Sequence, residues 1–558
     1  MIDSFELAGD QLLERAGWSL VWLAIVATGV DAWGQWSAWP GMVVVSLLMV
    51  LTGILGAVVL WSVSDPTSER LRHSSFVAAS MTLLFSQGVA IATRHFYTTD
   101  SAAFNQLSAR QLLDGRNPYA ASMTGAGQLL HPASSYWSYL VNGAHVISIS
   151  YPAGSFVFQI PLVALGIRHL STDWLDLFAW LATGVVLYVI LPSRLRWIAP
   201  LLLLSGVFAG PFANGSTDAL YIPFLVLAVW RWDRFAKSHQ PALTRWLSPV
   251  ALGVACSIKQ SPWFCVPFLL VGTALEARAA KVSVARTTTR YALMTIATFL
   301  VINVAFIVWG PRQWWRAVLL PFRAHLVADG QGLVSLAIHG LSGGVDLSLL
   351  SLSALLMLVA QLVAMVLWYP ALKRSWLFFL PLTLAIPGRS LSDYLVDLVP
   401  VAFVAALSVQ AVARPRVTTR HARSRLIIAV PLVASALVAA LAFRSAPLSV
   451  HVDNVTTADS HQRLTSITLT VRNQSGPSLT PRFMMTINGG HPSGFWRSSL
   501  DQGTLPLKPG ASATITIRPE AWTWAPHRAD YWLVEAFTAT PYALSTSVPQ
   551  RWPFGPLQ

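Results

Sequence analysis

An aspartate just ahead of a predicted helix is the first residue in this sequence that could carry chemistry. Asp100 ends the stretch R-H-F-Y-T-T-D, and apolar residues recur at helical spacing after it, which predicts an amphipathic helix over residues 101–114. A carboxylate in this position has two ordinary roles. It can cap the helix by accepting hydrogen bonds from the first free amides, or it can act as a general base at a water interface. The local pattern by itself favours the cap.

A lysine inside an apolar stretch is the second candidate. Lys259 lies between two short apolar runs, 247–257 and 263–275, which are predicted to form a hairpin around it because each is short for a full membrane span. A buried lysine is unfavourable unless it has an anionic partner or a cavity, although its long side chain can also extend to the membrane interface. Asp218 and Asp393 fall in other predicted outer turns and are alternative bases.

Several other catalytic signatures are missing. The sequence contains no HExxH, P-loop or CxxC motif, so metalloprotease, ATPase and redox functions lack support. The two cysteines, Cys256 and Cys265, lie inside apolar segments, so no disulfide framework or cysteine metal site is predicted. We therefore expect no metal ion and no cofactor.

The composition indicates that a membrane surrounds these candidates. Of the 558 residues, 54% are hydrophobic and only 11% are charged, whereas roughly a quarter of the residues in an average soluble domain are charged. About a dozen apolar runs approach or exceed the length that a helix needs to cross a bilayer. We therefore predict an all-α polytopic membrane domain with about 11–13 transmembrane segments, and we exclude a soluble globular protein.

Basic residues between the apolar runs orient the chain. The formal net charge is +14, and lysines and arginines concentrate in connectors such as 231–245, 278–290 and 414–425. The positive-inside rule places these connectors in the cytoplasm. The excess charge is then a topology signal, and nucleic-acid binding is not expected. The long loop 94–150 falls on the outer face, where the helix after Asp100 is predicted to lie on the membrane surface.

One pair of apolar runs does not fit this topology. If 155–167 and 175–191 both crossed the membrane, Arg194 and Arg196 would face outward, against the positive-inside rule. We therefore expect one of the two runs to be re-entrant or interfacial. Irregular backbone is tolerated at membrane depth where it is buried in protein or lines a cavity.

The last part of the chain has a different periodicity. Apolar and polar residues alternate there, as in L-T-S-I-T-L-T-V over 464–471, and turn-forming residues separate the alternating segments. This pattern predicts an extracytoplasmic β-sandwich of about 110 residues. We divide the chain into a membrane domain, 1–445, and a separately folding β-sandwich, 446–558. Within it, Trp522 and Trp524 are expected to form either a carbohydrate platform or part of the core.

Three stretches of the sequence carry a resemblance to a known family. They are Asp100 with its following helix and D-G-R-N-P-Y at 114–119, S-Y-P-A-G-S-F-V-F-Q-I-P at 150–161, and G-V-A-C-S-I-K-Q-S-P at 253–262. In their order and spacing the chain resembles the GT-C integral-membrane glycosyltransferases. It is most similar to the glycosyltransferase family 87 type, which uses a polyprenyl-phosphate-linked sugar, typically mannose.

The resemblance implies an inverting sugar transfer on the outer face of the plasma membrane. The donor would be a polyprenyl-phosphate sugar and the acceptor a cell-envelope glycan or glycolipid. Asp100 matches the loop aspartate that acts as the general base in this family. The departing lipid phosphate needs cationic partners, for which the candidates are Lys259, Arg389 and Arg94. Further side chains expected to contact substrate are His95, Tyr151, Asp218, Asp393 and Arg312.

The chain departs from the family in one segment. The family's late outer segment often contains a histidine, whereas the matching stretch here, R-S-L-S-D-Y-L at 389–395, has none. Two alternatives stay open: a polytopic lipid or glycan transporter, and a noncatalytic envelope-assembly protein on the same scaffold. A transporter is expected to show two similar halves with interrupted helices at matching positions, and the sequence shows no such repeat.

Overall fold

The structure is a computed structural model that describes most of the chain. The predictions for the basic connector near 414–425 and for Trp522 and Trp524 concern residues that lie largely or wholly outside the described set. The described ranges are 2–36, 40–62, 68–130, 137–208, 217–237, 242–410, 421–458, 463–490, 492–502, 506–519 and 530–551.

Helices build the first part of the chain, and most of them follow the apolar runs of the sequence. Short 3-10 turns, such as Ala219–Tyr221 and Ser261–Cys265, separate some of them. In chain order the helices are α1 (Ile2–Trp36), α2 (Pro40–Ser62), α3 (Glu69–Thr93), α4 (Asp100–Leu113), α5 (Gly154–Val157), α6 (Ile160–Ala164), α7 (Ser171–Ile190), α8 (Ile198–Leu204), α9 (Ile222–Val229), α10 (Ala242–Ile258), α11 (Val266–Ala279), α12 (Val284–Trp309), α13 (Pro311–Val318), α14 (Leu320–Arg323), α15 (Ser335–Ile338), α16 (Leu347–Leu367), α17 (Tyr369–Leu372), α18 (Trp376–Leu384), α19 (Ser392–Val396), α20 (Leu398–Ser408) and α21 (His421–Arg444).

Seven helices in the described part of the chain are long and apolar enough to cross a membrane. These are α1, α2, α3, α7, α12, α16 and α21. Other apolar runs form shorter helices, and Pro223 and Pro267 stand in the first turn of two of them. Proline is tolerated there because its missing amide hydrogen is not needed, but it interrupts a longer helix. Helices of full spanning length are therefore fewer than the predicted 11–13 segments.

The two apolar runs that conflicted with the topology form different structures. The first run contains only α5 and α6, which have four and five residues. The second forms α7, a helix of 20 residues. The first run is thus broken into helices too short to span a membrane, and it packs against α4, α10 and α7. That it is re-entrant or interfacial stays a prediction.

The helix after Asp100 lies inside the protein. It begins within one residue of the predicted start, but both its apolar and its polar residues are buried, among them Phe104, Asn105 and Gln106. Gln106 accepts hydrogen bonds from the amide and the hydroxyl of Ser171, at 2.9 Å each. The prediction of a helix lying on the membrane surface was therefore wrong. Polar side chains of α4, such as Gln106, form hydrogen bonds with neighbouring segments.

The C-terminal region consists of antiparallel sheets, as its alternating pattern predicts. One sheet has the order β4-β5-β8-β7, and a second has the order β11-β9-β10-β2 with β6 also paired to β9. Side chains of both sheets, such as Ile467 and Phe483, share one hydrophobic cluster. The strands are β1 (Asp329–Gly330), β2 (Gly344–Asp346), β3 (Arg389–Ser390), β4 (Leu448–Ala458), β5 (Arg463–Asn473), β6 (Arg482–Ile487), β7 (Arg497–Ser498), β8 (Ser512–Arg518), β9 (Tyr531–Ala539), β10 (Tyr542–Thr546) and β11 (Gln550–Arg551).

The second sheet connects the C-terminal region to the helices. Strand β2 lies just ahead of α16 and pairs antiparallel with β10, with Val345 opposite Leu544. Met484 and Phe537, on the same sheet, join a hydrophobic cluster with residues of α15 and α16. The described part of the C-terminal region thus shares a sheet with strand β2 and a hydrophobic cluster with α15 and α16.

Candidate active site

One large cavity lies between α4, the turn after α10, the segment after α18 and the second C-terminal sheet. Its volume is about 510 Å³, within the usual range for small-molecule sites. Of the nine residues that the sequence singled out, six line this cavity: Asp100, Tyr151, Asp218, Lys259, Arg389 and Asp393.

Asp100 is the first residue of α4 and is held from across the cavity wall. The cap is Thr99, whose hydroxyl accepts a hydrogen bond from the amide of Ala102 at 3.3 Å. The Asp100 carboxylate instead accepts a hydrogen bond from the amide of Ser138 at 2.8 Å. The interpretation of Asp100 as the helix cap is therefore wrong. Its Oδ2 is directed to the cavity wall, and the residue is half-buried beside the open space.

The surroundings of Asp100 favour a carboxylate that can accept a proton. Burial raises the pKa of Asp100 above its usual value, while the Arg389 guanidinium and the hydrogen bond from Ser138 oppose this increase. The net shift is upward. A carboxylate with a raised pKa is a stronger base than one in water, which suits proton abstraction.

Arg389 is placed next to Asp100 by a short parallel strand pair. Strand β3 pairs with β1, with Asp329 opposite Arg389. Gly330 has a φ of +114°, and a Cβ at this position would collide with the carbonyl oxygen of Ser390, so the close pairing requires glycine. Arg389 Nη2 donates a hydrogen bond to the hydroxyl of Ser138 at 2.9 Å. Ser138 therefore contacts both the acidic and the basic residue of the site.

Lys259 forms a buried ion pair in the cavity wall. Its Nζ lies 2.5 Å from Asp218 Oδ1, and both side chains are almost fully buried. The rings of Tyr151 and Tyr394 lie 5.5 Å and 5.2 Å from the same nitrogen, distances at which a cation is attracted to an aromatic ring. Lys259 has the anionic partner that its position requires.

Close packing of two chain segments brings Tyr151 to Lys259. Gly154 lies against the backbone of Ser257, where a Cβ would stand 2.6 Å from the carbonyl oxygen. Gln260 Nε2 donates to the carbonyl oxygens of Ser150 at 2.7 Å and Val318 at 2.8 Å. The chain turns after Lys259, where α10 ends at Ile258, a 3-10 turn follows and α11 begins at Val266. Both helices pack against α12 and hardly touch each other, so they do not form the closely packed hairpin that was predicted. The close approach at Gly154 and the hydrogen bonds of Gln260 fix Tyr151 next to Lys259.

The cavity continues into an apolar end. Its lining there comes from the turn before α11, from α14 and from α16. Phe322 and Leu355 line the cavity and are also 53% and 56% exposed on the outer surface. This end of the cavity therefore adjoins exposed apolar side chains of α14 and α16, and α16 is one of the helices long enough to cross a membrane. Other apolar residues of this end are Phe264, Leu320 and Leu358.

Three predicted site residues lie elsewhere. Arg94 forms an ion pair with the buried Asp173 at 3.3 Å, so its charge is directed to α7. His95 and Arg312 are exposed, and none of the three lines the cavity. Arg94 is close to Asp100 in sequence, but its side chain pairs with Asp173 and does not line the cavity.

Two residues at the site were not identified from the sequence. Tyr394 lies within the quoted segment R-S-L-S-D-Y-L, so its position in the chain offered a signal. Ser138 has no distinguishing local pattern, because its contacts with Asp100 and Arg389 join residues 38 and 251 positions apart.

A serine in a GxSxG run does not belong to this site. The run G-L-S-G-G at 340–344 has the spacing of a hydrolase nucleophile, which normally stands on a turn between a strand and a helix. Ser342 instead follows α15, precedes β2 and donates to the carbonyl oxygen of Gly344 at 3.2 Å. The described residues also contain no group of three or more His, Cys, Asp or Glu side chains that could hold a metal ion.

Comparisons with known proteins do not assign the chain to a family, so the functional assignment depends on the geometry of the cavity. No protein-family model, curated protein or solved structure matches the chain. The resemblance to the GT-C glycosyltransferases therefore stays a prediction.

Proposed function

We propose that this chain is a membrane glycosyltransferase of the GT-C type. It transfers a sugar, mannose or a related hexose, from a polyprenyl phosphate to a cell-envelope glycan or glycolipid on the outer face of the plasma membrane. The observation that carries the proposal is one cavity that combines a carboxylate, Asp100, with two cationic side chains, Lys259 and Arg389, and an end lined by apolar side chains.

The reaction uses Asp100 as a general base. Its carboxylate takes the proton from an acceptor hydroxyl, and the acceptor oxygen forms a bond to the anomeric carbon of the donor sugar. The bond from that carbon to the phosphate oxygen breaks, and the electron pair stays on the phosphate. Attack from the face opposite to the leaving phosphate inverts the anomeric configuration.

The cations support departure of the lipid phosphate. The phosphate gains negative charge as the bond breaks, and fixed positive groups in an enclosed site stabilise such developing charge. Burial by itself would lower the pKa of Arg389, but Asp329 and the other neighbouring groups raise the pKa by more than burial lowers it. The net shift is upward, and the side chain stays charged. Lys259 is held by Asp218 on one side and faces the cavity on the other.

The direction of the helices supports the proposed orientation. Helix α3 begins at Glu69, next to the basic residues Arg70 and Arg72, and ends at Thr93, seven positions before the cavity residue Asp100. Helix α11 begins near Lys259 and ends near Arg278. The cavity and the basic connectors therefore lie at opposite ends of the same helices. With the connectors in the cytoplasm, the cavity and the C-terminal β-sandwich are extracytoplasmic.

A transfer assay with purified protein tests this function. Protein in lipid nanodiscs is incubated with radiolabelled polyprenyl-phosphate mannose and a panel of octyl glycosides. We expect labelled octyl disaccharides and release of polyprenyl phosphate, with inverted configuration at the transferred sugar. Empty nanodiscs serve as the control. Donor that stays intact with every acceptor would contradict the transferase. Labelled lipid that changes leaflet in sealed proteoliposomes without being consumed would indicate a transporter.

Replacement of Ser138 by alanine is expected to lower transfer about tenfold. The variant keeps the amide that donates to Asp100 but loses the hydroxyl that holds Arg389, and a hydrogen bond to a charged group is worth roughly 1.5–3 kcal/mol. Transfer rates and melting temperatures of purified variants measure the effect. Ser122→Ala, an exposed serine of the same outer loop, is the matched control and is expected to behave as the wild type. Equal rates in both variants would show that the Ser138 hydroxyl does not position Arg389.

A further inference from the structure

We propose that the cavity wall next to Asp100 is a subsite for the acceptor, and that it binds a sugar ring. This wall, which we call the loop–sheet wall, consists of Trp137 and Tyr139 from the outer loop and Met484 and Pro492 from the C-terminal region. The inference rests on the proposed transfer reaction and assigns to the C-terminal region a direct part in choosing the acceptor.

The loop–sheet wall adjoins the base. Ser138, whose amide donates to Asp100, stands between Trp137 and Tyr139 in the chain. A general base must lie within hydrogen-bond reach of the hydroxyl that it deprotonates. The sugar that carries this hydroxyl therefore has to lie close to the segment around Ser138.

The rest of the cavity suits the other substrate. The cations and the apolar end are contributed by different elements, namely the turn with Lys259, the segment with Arg389, α14 and α16. The lipid phosphate and its hydrocarbon chain occupy these parts. The loop–sheet wall is then the part of the cavity next to Asp100 that the donor lipid does not need.

The chemistry of the loop–sheet wall fits a carbohydrate. Tryptophan and tyrosine combine a flat apolar surface with a polar group, and a sugar ring has an apolar C–H face bordered by hydroxyls. Both aromatic rings are held by neighbours: His145 lies 5.2 Å from Trp137 and 4.4 Å from Tyr139, measured between ring centroids. Phe495 lies 5.5 Å from Tyr139. Side chains held in place in this way lose little conformational entropy when a ligand binds.

The C-terminal region also holds the loop part of this wall. The hydroxyl of Tyr542 donates to the carbonyl oxygen of Leu326 at 2.5 Å, and its ring stacks on His325 at 4.4 Å. The neighbouring backbone is hydrogen-bonded to the loop, because Val327 donates to the carbonyl oxygen of Tyr139 at 2.9 Å. The sheet therefore positions Tyr139 as well as supplying Met484 and Pro492.

The test compares acceptor use with donor use in the full-length protein. Trp137→Ala removes the largest ring of the wall, and Pro492→Ala changes the C-terminal side with a smaller risk to folding. Polyprenyl-phosphate mannose is the donor, and the octyl glycoside with the highest wild-type rate is the acceptor. We expect a five- to tenfold increase in the acceptor KM for Trp137→Ala, since aromatic contacts contribute on the order of that factor. Pro492→Ala is expected to show a smaller increase, and the donor KM should stay the same in both variants.

The control and a second readout separate this inference from the transfer reaction itself. Trp309→Ala removes a tryptophan that is 49% exposed at the end of α12 and does not line the cavity, so its acceptor KM should match the wild type. Slow hydrolysis of the donor in the absence of acceptor reports an intact catalytic centre, and Trp137→Phe provides a better-folded variant if the alanine protein has a lower melting temperature. Unchanged acceptor KM in the folded Trp137 and Pro492 variants would overturn the subsite while leaving the transferase in place. Absence of transfer by the wild type would instead overturn the proposed function.

Discussion

Asp100→Asn is expected to reduce sugar transfer by about 10²- to 10⁴-fold, the usual contribution of a general base. Asparagine has nearly the same shape and keeps an oxygen that can accept the hydrogen bond from Ser138, but it cannot take up a proton. The measurement is transfer from radiolabelled polyprenyl-phosphate mannose by purified protein in nanodiscs. Asp114→Asn is the matched control, because Asp114 is an exposed aspartate at the other end of α4 and forms an ion pair with Arg116.

The melting temperature should change little in the Asp100 variant. Because the pKa of Asp100 is raised by folding, folding disfavours its ionised form. The resulting loss of stability develops as the pH rises from the unfolded-state pKa to the folded-state pKa and stays constant above it. Asparagine removes that cost at neutral pH and keeps the hydrogen bond. A large loss of stability with a proportional loss of activity would indicate a structural role for Asp100.

The pH dependence provides a second test of Asp100. The base is active when it is deprotonated, so the wild-type transfer rate should fall as the pH is lowered through the pKa of Asp100. Because that pKa is shifted upward, the fall should begin above the pH at which an ordinary aspartate titrates. The low residual activity of Asp100→Asn should lack this acidic limb. Near-normal transfer by the asparagine variant would move the assignment to Asp218 or Asp393.

Lys259→Met is expected to reduce transfer by about 10²-fold or more, the usual effect of losing one group that stabilises developing negative charge. Methionine keeps an apolar side chain of similar length but removes the positive charge that faces the donor phosphate. The single variant also leaves the Asp218 carboxylate buried without its partner, which typically costs about 3–5 kcal/mol of stability. Reduced activity in this variant alone therefore has two explanations.

A double variant separates the two explanations. Lys259→Met combined with Asp218→Asn removes both charges of the pair and should recover most of the melting temperature of the wild type. If Lys259 stabilises the leaving phosphate, transfer stays low in the double variant and the donor-dependent kinetics are affected more than the acceptor-dependent kinetics. Recovery of transfer together with stability would show that Lys259 serves only to neutralise Asp218.

Local features of this protein were determined by the sequence itself. The composition and the apolar runs predicted a membrane protein, because a helix needs a fixed number of apolar residues to cross a bilayer. The same local reasoning predicted the helix after Asp100, the turn at Lys259 and the C-terminal strands, since periodicity and turn residues act within about ten positions. The length of the shorter helices was less predictable, because packing and prolines interrupt apolar runs that look continuous.

Only the tertiary structure decided what these local elements do together. It placed α4 in the interior, gave the capping role to Thr99 and directed Asp100 to Ser138. It also brought Arg389 within 2.9 Å of the hydroxyl of Ser138, 251 positions away in the chain, while Arg94 turned to Asp173. Contacts over such separations depend on how helices and sheets pack, and a periodic pattern records only which face of an element is apolar.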